Sequence, residues 1–226
     1  MTNPTPDFSD LRGLTSTVRK FAAAVQRGER ILLIGGPGCG ATAIALRAVG
    51  LLPEMVQAEL NDLADTYYHA RVHRTPFRRP FRAPHHTVSW AGMFGSTRKG
   101  TDDEGQPFER SIPGELELST HGVLLLDEVT EFPRHTIEGV GRAIDDETLL
   151  IACAPPCPCG MASHPHKSRC TCTVAQRDRW ATRIARSSVD LDITCTIEVP
   201  FISNETRAHG ERCPSTSDLL TAGGAK

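Results

Sequence analysis

The segment RILLIGGPGCGAT, residues 30–42, decides the fold class of this chain. It begins as a short apolar run of buried-strand length and continues directly into a glycine-rich loop. Residues 41–51, rich in Ala, Ile and Leu, then predict a helix. A strand, a glycine loop and a helix in this order aim several backbone N–H groups at one anion. The segment therefore predicts a phosphate-binding loop.

Further periodic segments extend this unit in both directions. Apolar runs of strand length occur at residues 122–126, 149–152 and 193–199, and helical spacing of apolar residues occurs at residues 14–26 and 135–144. Strands that alternate with helices favour a parallel sheet with crossover helices. We therefore predict a three-layer α/β core.

The composition is that of an ordinary globular chain. The 226 residues have room for one α/β domain with at most a small appendage, and hydrophobic residues make up 39% of them. We predict a frayed N-terminus at residues 1–12, a nucleotide-binding core at 13–200, and a loosely ordered polar tail at 201–226. The core includes a Cys-rich excursion at residues 153–173.

The N-terminal residues have neither a basic n-region nor an apolar h-region, and no apolar stretch is long enough to span a membrane. We expect a cytoplasmic protein without a membrane partner. In that reducing compartment the eight cysteines are expected to be thiols, and closely spaced pairs are better interpreted as metal ligands than as disulfides.

The net charge of -2 excludes a global positive field for nucleic acid, so any basic surface must be local. One dense basic cluster comprises Arg71, His73, Arg74, Arg78, Arg79, Arg82, His85 and His86. It is either a solvated loop with salt bridges or a polyanion contact. We expect His85 and His86 to point to opposite faces of an extended segment, which predicts packing rather than a shared metal.

The glycine loop matches the pattern G-x-x-x-x-G-K-[ST] except at one position, where Ala41 replaces the lysine. The predicted nucleotide-binding residues are Gly35, Gly36, Pro37, Gly38, Cys39, Gly40, Ala41, Thr42 and Ala43. Thr42 and Asp127 are the predicted Mg²⁺ ligands, and Glu128 is the predicted catalytic residue that orients the attacking water. Alternatively, Asp127-Glu128 only opens a solvated loop and Thr42 only starts a helix.

Alanine at position 41 removes a charge-assisted hydrogen bond to the phosphates, worth about 1.5–3 kcal/mol. Hydrolysis should suffer more than binding, because charge on the transferring phosphoryl group peaks in the transition state. The only lysines are Lys20, Lys99, Lys167 and Lys226, and none adjoins the loop in sequence. An arginine from the basic cluster is an alternative cation. Cys39 either fits the turn as a small residue or is a redox-sensitive thiolate.

Two closely spaced cysteine pairs predict a metal site within residues 153–173. Cys157 and Cys159 form the first pair, and Cys170 and Cys172 form the second. Two such turns can converge on one tetrahedral ion, so we predict a structural Zn²⁺ with four protein ligands and no catalytic role. Free thiols in a loop and a redox pair are the alternatives.

Several sequence words occur in the order found in a known family. They are DLRG at 10–13, ILLIGGPG at 31–38, RPFRAPHHT at 79–87, PGE at 113–115, HGVLLLDEVTEF at 121–132, PCPCG at 156–160 and IEVP at 197–200. The chain resembles the magnesium-chelatase ATPase subunits and, more closely, the ComM-like AAA+ proteins that act on DNA branches. The resemblance implies an AAA+ P-loop NTPase core, ATP and Mg²⁺ as cofactors, a ring partner that is a second copy or a full-length homologue, and DNA as a partner.

This chain departs from the family at positions that the resemblance assigns to ATP binding and hydrolysis. Besides Ala41, Pro155 stands where the family has a sensor asparagine, and residues 189–192 lack the arginine of a Leu-Asp-Arg word. Arg183 or Arg186 are the candidate replacements. Full ComM-like proteins also carry a protease-like domain and a helical lid, so the resemblance implies an isolated core.

These departures predict a pseudo-ATPase that acts as a non-catalytic or regulatory ring subunit. The alternatives are an active ATPase motor on DNA that uses a substitute cation, and a non-functional remnant of a larger protein.

Overall fold

The structure is a computed structural model that describes residues 6–72, 78–101, 104, 106–166 and 169–223. The helices are α1 Thr15–Gln26, α2 Ala41–Ala45, α3 Gln57–His69, α4 Trp90–Phe94, α5 Arg134–Ala143, α6 Val174–Asp190, α7 Asn204–His209 and α8 Thr216–Gly223. The strands are β1 Ile31–Ile34, β2 Phe81–Arg82, β3 Ser96–Thr101, β4 Pro107–Ile112, β5 Val123–Leu126, β6 Leu149–Ala154 and β7 Cys195–Glu198. In these described ranges, no helix has the length and apolar character needed to cross a membrane.

Five strands form one parallel sheet in the order β2-β5-β6-β1-β7. In the register of the sheet, Ile31 is paired with Ile151 on one side and with Cys195 on the other. Strands β3 and β4 form a separate antiparallel hairpin. The predicted parallel α/β sheet is confirmed, and the carboxyl ends of β1, β5 and β6 meet at one edge.

The two faces of the sheet bury different apolar clusters, because successive side chains of a strand point to opposite faces. Val123 and Leu125 pack on one face with residues of α1, α2 and α8, whereas Leu124 and Leu126 pack on the other face with residues of α4 and α5. Helices on both faces of a central sheet give the predicted three-layer core.

The helix predicted at residues 41–51 is broken in the middle. Helix α2 ends at Ala45, and a 3-10 turn follows at Ala48–Leu51. The Arg47 N–H donates to the Ile44 carbonyl at 3.1 Å, an i to i-3 bond that tightens the chain there.

Within the described residues, the segments near both ends of the chain are more ordered than the sequence predicts. Phe8 is fully buried against Phe21, inside a 3-10 turn capped by Asp7, so a frayed end is wrong for residues 6–12. A loose tail is wrong for residues 201–223, because α7 and α8 form there and Leu219 is buried with α1. The core therefore extends beyond both predicted boundaries, 13 and 200.

Candidate nucleotide-binding site and cysteine cluster

A cavity of about 530 Å³ opens at the edge of the sheet where β1, β5 and β6 end. Its lining residues are Asp10, Leu11, Arg12, Leu14, the loop and helix start at residues 35–43, Asp127, Glu128, Cys153, Ala154, Pro155, Ile202 and Arg207. The structure thus brings together every residue predicted to bind nucleotide or Mg²⁺. Ligands of open α/β sheets bind at this edge, beyond the carboxyl ends of the strands.

The predicted Mg²⁺ ligands touch each other across this cavity. The Thr42 hydroxyl donates to Asp127 Oδ2 at 3.0 Å, and the Glu128 N–H donates to Asp127 Oδ1 at 3.0 Å. Glu128 has a φ of 52°, a left-handed backbone conformation that is uncommon for a residue with a side chain. Its carboxylate is exposed at the mouth of the cavity. A threonine hydroxyl beside an aspartate offers two hard oxygen ligands to one divalent cation.

The glycine loop is held in shape by packing on both sides. Cys39 is buried beneath Gly35, where a β-carbon would overlap the Cys39 sulfur. On the other side, a β-carbon on Gly36 would lie 2.6 Å from the Gly160 carbonyl oxygen. Burial raises the pKa of the Cys39 thiol, which favours the packing role of Cys39 over a reactive thiolate.

The sequence did not reveal which cation lies near the loop. Among the described residues, no lysine lines the cavity, and Lys167 and Lys226 lie outside them. Two arginines do line it, Arg12 and Arg207 of α7, and Arg207 Nη2 donates to the Gly38 carbonyl at 2.7 Å. Arg207 lies in the segment predicted as a loose tail, and no sequence pattern singled it out.

Helix α6 contacts Pro155, the residue that stands where the family has a sensor asparagine. The Trp180 indole N–H donates to the Pro155 carbonyl at 2.8 Å, and Pro155 lines the cavity without a polar side chain. Arg183 and Arg186, the candidate replacements, lie on α6 and do not line the cavity. Arg183 instead lies 5.9 Å from the centre of the Trp180 ring.

The predicted basic cluster does not act as one surface. Arg79 makes an ion pair with Glu59 and Arg82 makes one with Glu115 at 2.6 Å, so both are structural. Its members His73 and Arg74 lie outside the described residues, and Arg78 makes interactions of its own.

The prediction that His85 and His86 point to opposite faces is wrong. The chain turns at residues 86–87, and the two rings lie 4.0 Å apart between centroids. His86 Nδ1 also lies 3.9 Å from Glu128 Oε2, which places an imidazole beside the predicted catalytic carboxylate. A local turn, in place of the expected extended segment, brings these groups together.

The four cysteines of the predicted metal site converge. The sulfur atoms of Cys157, Cys159, Cys170 and Cys172 all lie within 4.8 Å of one another. Cys157 to Cys159 is 3.4 Å, Cys159 to Cys170 is 3.7 Å and Cys157 to Cys170 is 3.9 Å between sulfurs. A tetrahedral ion with bonds of about 2.3 Å would separate its sulfur ligands by about 3.8 Å. The donor set and its spacing therefore fit one tetrahedral metal ion.

The fold and the edge cavity define the class of protein: a parallel α/β core of the P-loop NTPase type. The model of the family described as magnesium chelatase, subunit ChlI, matches residues 7–151 and 143–206. The chain belongs to that family.

Two curated relatives and one solved structure extend this result. YifB of Escherichia coli strain K12 is 30% identical over 96% of this chain and 44% of its own length. Competence protein ComM of Haemophilus influenzae is 33% identical over 66% of this chain and 28% of its own length. A cryo-EM-based structure of the complex between subunits BchI and BchD of magnesium chelatase shares the fold, with a TM-score of 0.50 at 15% identity, over 98% of this chain and 67% of that chain. The chain spans less than half the length of both curated relatives.

Proposed function

We propose that this chain is an AAA+ nucleotide-binding core that binds ATP with Mg²⁺ weakly and hydrolyses it slowly. The observation that carries the proposal is the contact between the Thr42 hydroxyl and the Asp127 carboxylate at 3.0 Å. Thr42 directly follows Ala41, which stands where the motif requires lysine. The oxygen ligands for the metal are present, whereas the cation for the phosphates is absent from its usual position.

Different residues of the cavity serve nucleotide binding and ATP hydrolysis. Backbone N–H groups of the glycine loop would donate hydrogen bonds to the phosphates, and Thr42 and Asp127 would hold the Mg²⁺, which would neutralise phosphate charge. Glu128 orients a water at the mouth of the cavity. Pro155 supplies no polar side chain to the terminal phosphate, so a bound nucleotide is positioned without one of the donors that would stabilise its transition state.

Equilibrium binding of ATP with Mg²⁺, measured beside turnover, tests this proposal in the native chain and in Ala41→Lys. We expect Ala41→Lys to tighten binding by about 10- to 150-fold, the equivalent of about 1.5–3 kcal/mol. Turnover stays near background in both proteins, because lysine restores only one of the missing groups. Micromolar binding with steady turnover in the native chain would instead favour an active motor with a substitute cation. No binding by either protein would favour a non-functional remnant.

The role in the cell is that of a non-catalytic or regulatory ring subunit, assembled with its own copies or with a full-length homologue. Support comes from the fold shared with the BchI and BchD complex, whose two subunits assemble with each other. Sedimentation of the native chain, with and without ATP and Mg²⁺, tests it. A monomer under all conditions, and in mixtures with a full-length homologue, would contradict this role.

The link to DNA is supported by the ComM-like resemblance and by one local surface. His69, Arg71, Arg98, Arg110 and Phe108 line a groove of about 280 Å³ beside the β3-β4 hairpin. Arg98 and Arg110 are directly opposite each other in the hairpin, and within the described ranges no carboxylate pairs with either. Like charges directly opposite each other are unfavourable, and an anion bound between them would relieve the repulsion. An exposed aromatic ring beside cations suits single-stranded DNA.

Fluorescence anisotropy with labelled single-stranded DNA tests this surface. Arg98→Glu should weaken binding and reduce its salt dependence, whereas Arg179→Glu, an exposed arginine on α6, should not. Equal effects of the two variants would indicate non-specific attraction and would contradict the assigned surface.

We also propose that the cysteine cluster holds a structural Zn²⁺. Its four sulfurs leave no open position on a tetrahedral ion, so the metal would cross-link the loop without a catalytic role. Metal analysis of the purified protein should give about one zinc per chain. A value well below that would leave free thiols or a redox pair.

A further inference from the structure

Arg207 is a cation in the nucleotide cavity that lies outside the phosphate-loop motif. Its Nη2 donates to the Gly38 carbonyl at 2.7 Å, and a β-carbon placed on Gly38 would lie 3.9 Å from both terminal nitrogens. In the described part of the chain, no acidic side chain forms an ion pair with Arg207. A guanidinium has five N–H donors in a planar fork, so most of them stay available to a ligand in the cavity.

The short helix that carries Arg207 is fixed on both sides. Ser203 caps α7 by accepting from the Thr206 N–H at 3.0 Å, and the Thr206 methyl group packs where Gly13 has no side chain. Past the end of α7, the Arg12 guanidinium donates to the Gly210 carbonyl at 2.8 Å. These contacts hold the backbone of α7 against the segment that forms the other wall of the cavity, so the backbone position of Arg207 does not depend on its bond to Gly38.

We propose that Arg207 supplies to the phosphate groups of the nucleotide the positive charge that Ala41 cannot supply. The inference rests on the proposed nucleotide binding and names the residue responsible for it. A guanidinium pairs with two phosphate oxygens at once, and such charge-assisted pairs are stronger than neutral hydrogen bonds. Because Arg207 approaches from α7, outside the loop, it contributes to binding without restoring the lysine's contact during phosphoryl transfer.

A simpler role for Arg207 is to cap the Gly38 carbonyl and stabilise the loop. The two roles differ in their dependence on phosphate. A phosphate contact contributes to the binding of ATP and ADP but not to that of adenosine, whereas a structural cap affects all three ligands equally.

The test is a set of equilibrium binding measurements with ATP, ADP and adenosine in the presence of Mg²⁺. The proteins are the native chain, Arg207→Ala, Arg207→Lys, Ala41→Lys and the double variant Ala41→Lys with Arg207→Ala. Arg179→Ala, an exposed arginine on α6 whose Nε donates to the Ala175 carbonyl, is the matched control. Thermal unfolding of each variant reports on folding.

We expect Arg207→Ala to weaken ATP and ADP binding by about tenfold and to leave adenosine binding unchanged within about twofold. Arg207→Lys should retain part of the affinity, and Ala41→Lys should restore ATP binding to Arg207→Ala. Arg179→Ala should change none of these affinities.

Native binding that Arg207→Ala leaves intact, or a loss that is equal for ATP and adenosine, would overturn the inference and leave the proposed function in place. No binding of any of the three ligands to the native chain or to Ala41→Lys would overturn the proposed function as well.

Discussion

The glycine loop after β1 and the cysteine loop after β6 follow neighbouring strands of the sheet and lie against each other. The glycine loop has its backbone shape but lacks the side chain that would hold the phosphates. The cysteine loop has all four of its sulfurs within reach of one metal ion. The difference shows that the shape of a binding loop and the chemistry of its side chains are fixed by different interactions.

The shape of the glycine loop depends on packing contacts that do not involve the position of the missing lysine, Ala41. The Cys39 sulfur fills the space beneath Gly35, and the Gly160 carbonyl lies over Gly36. Gly160 lies between the cysteine pairs, and its N–H donates to the Cys157 carbonyl at 2.8 Å. A metal ion in the cysteine cluster would therefore support the glycine loop from above, and the following predictions test this dependence.

The largest effect is expected from Cys170→Ser. Removing one sulfur ligand should reduce bound zinc from about one ion per chain to nearly none and lower the free energy of unfolding by about 4 kcal/mol or more. Metal analysis and urea unfolding measure the two losses. Cys195→Ser, in β7 and outside the cluster, is the matched control and should retain the zinc. Equal zinc content in the two variants would contradict the assigned ligand set.

The sequence predicted the sheet and the cavity well because both depend on local patterns. β1, β5 and β6 are buried on both faces, so they occur in the sequence as continuous apolar runs. The glycine loop and Asp127 follow such runs directly, and parallel strands bring their carboxyl ends together. The four cysteines converge as their paired spacing indicated.

The helices and the contact that were not predicted are marked in the sequence only by weak patterns, or they join residues far apart in the chain. Helix α6 has no buried residue, so its apolar periodicity is faint, although Thr173 and Gln176 form a capping box that is visible in the sequence. The caps Ser203 and Ser215 similarly signal α7 and α8 within the polar tail. Arg207 meets Gly38 across 169 positions of sequence, and no local pattern indicates that contact.

Gly160→Ala should have the next largest effect, because it disturbs the contact between the two loops. Gly160 has a φ of +73°, and a β-carbon there would overlap the Pro37 ring. We expect a loss of about 2 kcal/mol in unfolding free energy and weaker ATP binding, with zinc retained.

Gly28→Ala separates the backbone strain of Gly160→Ala from its overlap with Pro37. Gly28 has a φ of +67° and no atom near its missing side chain. If this variant lowers stability and ATP affinity as much as Gly160→Ala does, then the contact between the loops contributes nothing.

Thr42→Val should have a smaller effect, confined to the glycine loop. The substitution preserves the shape of the side chain but removes the hydroxyl that donates to Asp127. We expect the increase in ATP affinity caused by Mg²⁺ to fall by about tenfold, since one metal ligand is lost. Titration of ATP with and without Mg²⁺ measures it, with Thr182→Val on α6 as the control. An unchanged response to Mg²⁺ would remove Thr42 from the metal site.

Asp7→Asn should have the smallest effect. Because Asp7 supports only the side of the fold next to α2, the substitution should leave the cysteine loop unaffected. Its carboxylate accepts from the Ser9 N–H at 2.8 Å and the Thr216 N–H at 3.0 Å, and its carbonyl accepts from Arg47. Although burial opposes ionisation, the hydrogen bonds from Ser9 and Thr216 lower the pKa of Asp7.

A lowered pKa in the fold contributes stability above the unfolded value of about 3.9, and this contribution is lost as the pH falls below it. We therefore expect Asp7→Asn to cost about 1 kcal/mol at pH 7 and progressively less below about pH 4, with zinc content unchanged. Urea unfolding across this pH range, beside the exposed Asp178→Asn, measures the difference, and a cost that does not diminish in acid would show that the Asp7 charge is not responsible.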